Sequence, residues 1–141
     1  MRSSSSMSSV HDRAENLLPK PFKVIARGSV AASRGRTKVI WSDNKDPRVE
    51  AYAVRALDGL DCGSLAIRIA NIDAASVPQL DMDEHYELQG GSERVWLEAN
   101  STWGALHGIT TLRQLTSAQG IPSGLHIVDG PRFPWRGCML D

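Results

Sequence analysis

Asp81, Asp83 and Glu84 stand within four positions of one another, and two carboxylates are what most glycosidases use to cleave a sugar bond. Such a pair needs surroundings that raise one pKa above the other. No aromatic wall or apolar run flanks these residues, so they read as an acidic loop rather than a catalytic pair. The same loop opens like a calcium-binding EF-hand, but Tyr86 stands where glycine is required and Ser92 where the bidentate glutamate belongs. The histidines, His11, His85, His107 and His126, are too far apart to form a helical zinc pair. Cys62 and Cys138 lie outside any CxxC or Cys/His ligand spacing. They read as two buried thiols, with a long-range bridge left open. No glycine-rich phosphate loop and no GxSxG nucleophile elbow occurs, so no metal and no cofactor is expected. Asn100-Ser101-Thr102 is formally an N-glycosylation sequon, but its residue types suit a helix N-terminus equally well, and that reading is preferred.

The chain has 141 residues, 41% hydrophobic and 23% charged, which fits one globular domain. Sixteen basic residues balance sixteen acidic ones. No overall field draws the chain to nucleic acid or to an anionic membrane, and neither is expected as a partner. The small basic cluster Arg34, Arg36 and Lys38 around Gly35 lacks interleaved aromatics and reads as a solvated hairpin turn. No run is long enough to cross a membrane as a helix. The serine-rich start has no apolar core, so no signal peptide is recognisable, and residues 1–16 read as a disordered leader.

The elements that must position these residues follow from periodicity. Pro19-Lys20-Pro21 favours an extended opening segment. Thr37–Trp41 is β-rich. Asp46 caps and Pro47 begins a helix whose buried stripe is Val49, Tyr52, Ala53, Ala56 and Leu57, with Gly59 at its C-terminal cap. Three alternating strands follow around Leu65–Ile69, Tyr86–Leu88 and Val95–Leu97, the last two joined by Gly90-Gly91-Ser92. A second helix starts near Ser101 and runs to about Ala118, burying Ala105, Ile109, Leu112 and Leu115. Gly104 and Gly108 each cost this helix about 1 kcal/mol relative to alanine, which points to close backbone packing on the sheet. A strand at Leu125–Val128 and the proline-bounded link Asp129–Pro134 complete the order β, α, β, β, β, α, β. Three strands in succession between two helices favour an α+β fold over a doubly wound parallel sheet.

Two stretches resemble glycoside hydrolase family 20, the β-N-acetylhexosaminidases. Asp129-Gly130-Pro131-Arg132-Phe133-Pro134-Trp135-Arg136-Gly137-Cys138-Met139-Leu140-Asp141 is similar to the family's D-x-P-R-F-x-x-R-G-x-x-x-D signature. Gly104, Gly108, Thr111-Leu112 and Gln114-Leu115 resemble its G-x-x-x-G-x-x-T-L-x-Q-L helix. Pro19-Lys20-Pro21 and Glu84-His85-Tyr86-Glu87-Leu88 are similar to its domain opening and its approach to a strand.

The resemblance implies a zincin-like α+β accessory domain over residues 17–130, an antiparallel-rich sheet with two helices on one face. Residues 131–141 would then be the start of a (β/α)8 barrel, cut after one strand, where a whole barrel takes roughly 250 residues. In the family the barrel removes terminal N-acetylglucosamine or N-acetylgalactosamine from glycans with retention, the sugar's own acetamide attacking the anomeric carbon. Its Asp-Glu pair lies beyond Asp141, so no catalytic residue is expected here. Arg136 matches an arginine that hydrogen-bonds hydroxyls of the terminal sugar, a task suited to a rigid fork of donors. Its place near the beginning of a barrel strand is at odds with barrel sites lying at the strands' C-terminal ends. The partners so implied are the chain's own barrel and a glycan. The family is usually secreted, periplasmic or lysosomal. The rival reading is a free-standing carbohydrate-binding or interaction module, for which the apolar run Trp135–Asp141 has no use.

Overall fold

A computed structural model describes Leu17, residues 20–33, 36–60, 62–72, Val77, and residues 82–91, 94–116 and 121–131, with Gly137 and Met139; only the backbone is described at 26–33 and 121–123. Among the described residues six strands and two helices follow in the order β1 (Lys23–Ser33), β2 (Lys38–Trp41), α1 (Pro47–Ala56), β3 (Ser64–Asn71), β4 (Tyr86–Gly90), β5 (Arg94–Ser101), α2 (Thr102–Leu115) and β6 (Ile121–Asp129). They build one mixed sheet in the order β1-β6-β4-β5-β3-β2. The β1/β6, β6/β4 and β4/β5 pairs are antiparallel, while β5/β3 and β3/β2 are parallel.

Strand alternation divides the sheet into two faces. Leu65, Ile67, Leu88, Val95, Leu97, Leu125 and Ile127 are buried on one of them. On it lie the helices, α2 over β3, β4 and β5, and α1 beside α2 and β2. Val49 and Ala53 from α1, with Leu57 just past its end, and Ala105, Ile109, Leu112 and Leu115 from α2 complete the core.

The caps explain where the helices start. The Asp46 carboxylate accepts from Arg48 N at 2.9 Å, and Pro47 occupies the first turn, where its missing N–H costs nothing. Ser101 Oγ accepts from Gly104 N at 3.2 Å. Two ends differ from expectation. Leu57, not a glycine, closes α1, and the left-handed Gly59 (φ 74°) follows two residues later. Helix α2 stops at Leu115: the Thr116 backbone turns extended, and its hydroxyl donates to Leu112 O at 2.7 Å in place of a further turn.

The close approach of α2 is as its glycines require. A Cβ at Gly104 would overlap the His85 carbonyl oxygen, and one at Gly108 would overlap a Leu97 methyl and stand 3.2 Å from the Tyr86 ring. Three readings are corrected. Lys23–Ser33 is a full edge strand paired with β6, although its sequence KVIARGSVAAS lacks clean alternation. Strand β6 begins at Ile121 rather than Leu125. Because β1 and β2 lie at opposite edges of the sheet, the segment around Arg36 cannot be a hairpin turn between paired neighbours. Register shifts between Arg27 and Ala31 and between Ala31 and Ser33 interrupt the β1/β6 ladder, which continues to Ser33 and Ile121. Arg36 and Lys38 are solvated as expected, while Arg34 and Gly35 lie outside the described residues.

Candidate functional site

The acidic segment leads from the long connection after β3 into β4, and its carboxylates turn away from each other. Exposed Asp83 accepts from His85 N at 2.9 Å and lies 3.0 Å from His85 Nδ1; its other oxygen accepts from Asn100 Nδ2 at 2.7 Å. The His85 backbone N–H is the main influence holding this carboxyl below its usual range; partial desolvation opposes it, and Asn100 and the His85 ring assist. Glu84 instead runs under α2, where it is 4% exposed and sits 2.7 Å from His107 Nε2. Ser101 Oγ also donates to Asp83 O. These residues tie the start of β4 to the end of β5 and the first turns of α2. They do not face a common cleft, and Asp81 lies outside the described residues.

The sequon residues are likewise spent on structure. Thr102 is buried, and its hydroxyl donates to Asp46 Oδ2 at 2.6 Å, while Ser101 caps α2 and Asn100 binds Asp83. Burial works to raise the Asp46 pKa, but Thr102 and the Arg48 guanidinium and backbone N–H outweigh it, and the carboxyl lies below its ordinary range.

A second cluster closes the far side of the core. Tyr86 OH donates to Asp129 Oδ2 at 3.1 Å and also meets the Thr111 hydroxyl. Burial, with the Asp129 charge beside it, pushes the phenol above its ordinary range and keeps it a proton donor. Phe22 N reaches Asp129 Oδ1 at 3.2 Å. Asp129, the first residue of the proline-rich signature, thus fastens β1 and β4 to the end of β6. A Cβ on the next residue, Gly130, would overlap the His85 ring. Periodicity marks neither cluster, because the partners stand 56 positions apart in Asp46–Thr102 and 43 apart in Tyr86–Asp129.

The face opposite α1 and α2 carries an open groove of about 320 Å³, whose polar lining includes Arg68, His85, Glu87, Glu98 and Asn100. It draws on four strands, β3, β4, β5 and, through Val128, β6, and on the segment before β4. No group of three metal-ligating side chains occurs among the described residues. Arg136 and Cys138 lie outside them. Cys62 is buried, its sulfur 3.4 Å from Thr116 Oγ1.

With this geometry in hand, comparison with known proteins is direct. A family model described as "beta-acetyl hexosaminidase like" matches residues 7–115. The chain belongs to that family. Among hexosaminidase relatives, a β-hexosaminidase of Emericella nidulans is 40% identical over 70 residues, 45% of this chain and 12% of that protein. The β-hexosaminidase α subunit of Rattus norvegicus is 35% identical over 81 residues, 55% of this chain and 15% of that protein. The chain therefore spans only a small share of the hexosaminidases it matches. Among solved structures, a chitobiase of Flavobacterium johnsoniae superimposes with a TM-score of 0.70 and 31% identity, over 89% of this chain and 22% of the chitobiase chain. An N-acetyl-β-hexosaminidase of Streptomyces plicatus, 23% identical with a TM-score of 0.60 over 87% of this chain and 28% of its own, shares the fold.

Proposed function

We propose that this chain is the non-catalytic accessory domain of a retaining, substrate-assisted β-N-acetylhexosaminidase that removes terminal N-acetylhexosamine from glycans. The observation that carries this reading is the likeness to the chitobiase: nearly the whole of this chain answers to about a fifth of that enzyme. The geometry supports it, since Asp83 and Glu84 brace strands and helix and share no cleft. Residues 17–130 are the accessory domain. Residues 131–141 open the catalytic (β/α)8 barrel, the chain's natural partner. Arg136 hydrogen-bonds hydroxyls of the terminal sugar once that barrel is whole. A free-standing binding module has no counterpart among the hexosaminidase relatives just described.

The test is turnover of a chromogenic N-acetylglucosaminide. Hydrolysis needs a general acid at the glycosidic oxygen, a group orienting the acetamide, and a walled pocket. The 141-residue chain is expected to show only background hydrolysis. Fusion to a family 20 barrel is expected to give activity that Arg136→Ala lowers by tenfold or more. Turnover by the isolated chain that falls on mutation of Asp83 or Glu84 overturns the proposal.

A further inference from the structure

The sheet face opposite α1 and α2 combines the groove with an indole. Trp96 lies on β5, one of the inner strands of the sheet, and is 40% exposed. Its cross-strand neighbours are Ala66 on β3 and Gln89 on β4, and the Arg94 guanidinium stands 5.5 Å from its ring centroid. Two residues further along β5, Glu98 is flanked by Arg68 on β3 and by Glu87 on β4. The groove continues from these residues to Asn100 and His85.

A lone exposed hydrophobic residue is ordinary on a protein surface. This one stands in line with side chains that folding alone does not favour. Glu87 and Glu98 are like charges placed directly across two strands, an arrangement that costs stability. Their neighbours offset this only in part: Gln89 Nε2 donates to Glu87 at 3.0 Å and His126 Nε2 lies 2.5 Å from it, while Arg68 donates to Asp43 at 3.2 Å and Arg94 stands over the Trp96 ring.

We propose that this face is a glycan-binding surface: Trp96, Gln89, Glu87 and Glu98 hold a neutral oligosaccharide of N-acetylhexosamine units, away from the point of hydrolysis. A pyranose offers an apolar C–H face edged by hydroxyls. The first matches an aromatic ring and the second matches carboxylate and amide groups set beside it. The groove of about 320 Å³, at the small end of ligand-sized clefts, is lined by Glu87 and Glu98; Trp96 and Gln89 stand beside it, two residues away along β5 and β4. The facing carboxylates accept hydrogen bonds from hydroxyls and repel acidic glycans, which commits the site to a neutral ligand. The sugar class rests on the accessory-domain reading; the surface itself rests on the side chains.

The experiment is a titration of the full 141-residue chain with tetra-N-acetylchitotetraose, followed by calorimetry and by amide chemical shifts, with a sulfated glycan as the comparison. Saturable binding is expected, with shifts centred on β4 and β5 and no saturable binding of the sulfated glycan. Trp96→Ala is expected to weaken binding at least tenfold and Glu98→Gln a few-fold. Trp96→Phe keeps an aromatic surface and should bind within a few-fold of wild type; Val54→Ala, on the helix side, should bind as wild type does. Circular dichroism checks that each variant is folded. No saturable binding by the wild type, equal binding by folded Trp96→Ala, or equal affinity for the sulfated glycan overturns the inference. Any of these results leaves the accessory-domain reading standing, because that reading is tested by turnover of the barrel fusion.

Discussion

Asp46 is 1% exposed, and its carboxylate receives Arg48 N, the Arg48 guanidinium and the Thr102 hydroxyl. A buried charge is tolerable when donors of this kind surround it. Asp46→Ala removes the cap of α1 and leaves the buried Thr102 hydroxyl short of an acceptor. The expected cost is about 1–3 kcal/mol in denaturant unfolding; a loss below about 0.5 kcal/mol would show that water replaces the carboxylate easily. The pH dependence follows from the lowered folded-state pKa. A carboxyl depressed below its unfolded value of about 3.9 contributes its full stability above that value and loses it as pH falls through the folded pKa. Wild-type stability should therefore fall below about pH 4 more steeply than that of Asp46→Asn, and parallel curves for the two would remove Asp46 from the explanation of acid unfolding.

At the scale of elements, the two helices were legible because their signals are local. Asp46-Pro47 and Ser101 announce the starts, and apolar residues three and four apart announce the buried faces. The glycine pair in α2 was legible for a related reason: a helix keeps two such costs only where a side chain would collide. Gly108→Leu tests this directly. Leucine is the better helix former by somewhat less than the roughly 1 kcal/mol that separates glycine from alanine, so a solvent-facing position would gain stability. Against Leu97 and Tyr86 the added side chain must displace packed atoms, and destabilisation of about 1–3 kcal/mol is expected. A raised melting temperature would mean that α2 is turned away from the sheet. Strand pairing was much less legible. The alternation of Leu65, Ile67 and Ile69 marks a strand and its buried face, but nothing within it states that β3 pairs in parallel with β5 while β4 goes to the other side of β5. Strand β1 was missed because Arg27, Gly28 and the alanines blur its alternation, and its order comes from pairing with β6, about a hundred residues later. The groove was beyond reach for the same reason: Arg68, Glu87 and Glu98 come together only once that pairing is known.

For the molecule as a whole, the question is where the packed unit ends. Strand β6 finishes at Asp129, which is fastened to Tyr86 OH and Phe22 N, and Gly130 lies against the His85 ring. Past this buckle Pro131 is half-buried, while Gly137 is exposed and Met139 is 89% exposed. If residues 131–141 belong with a barrel, they contribute little to the accessory sheet, and their apolar character is a liability when that neighbour is absent. An unpaired apolar strand offers its backbone and side chains to other copies of itself. Deleting residues 131–141 while keeping Asp129 and Gly130 should therefore move the melting temperature by less than about 2 °C, corresponding to a few tenths of a kcal/mol for a domain of this size. It should also raise the concentration at which the protein stays monomeric, as followed by light scattering. The deletion separates two pictures of the chain. A fall of about 10 °C would mean that the segment packs onto the sandwich and that the folded unit extends past Gly130. An unchanged transition with less aggregation would place the boundary at Gly130, where the signature sequence passes from holding one domain together to opening the next.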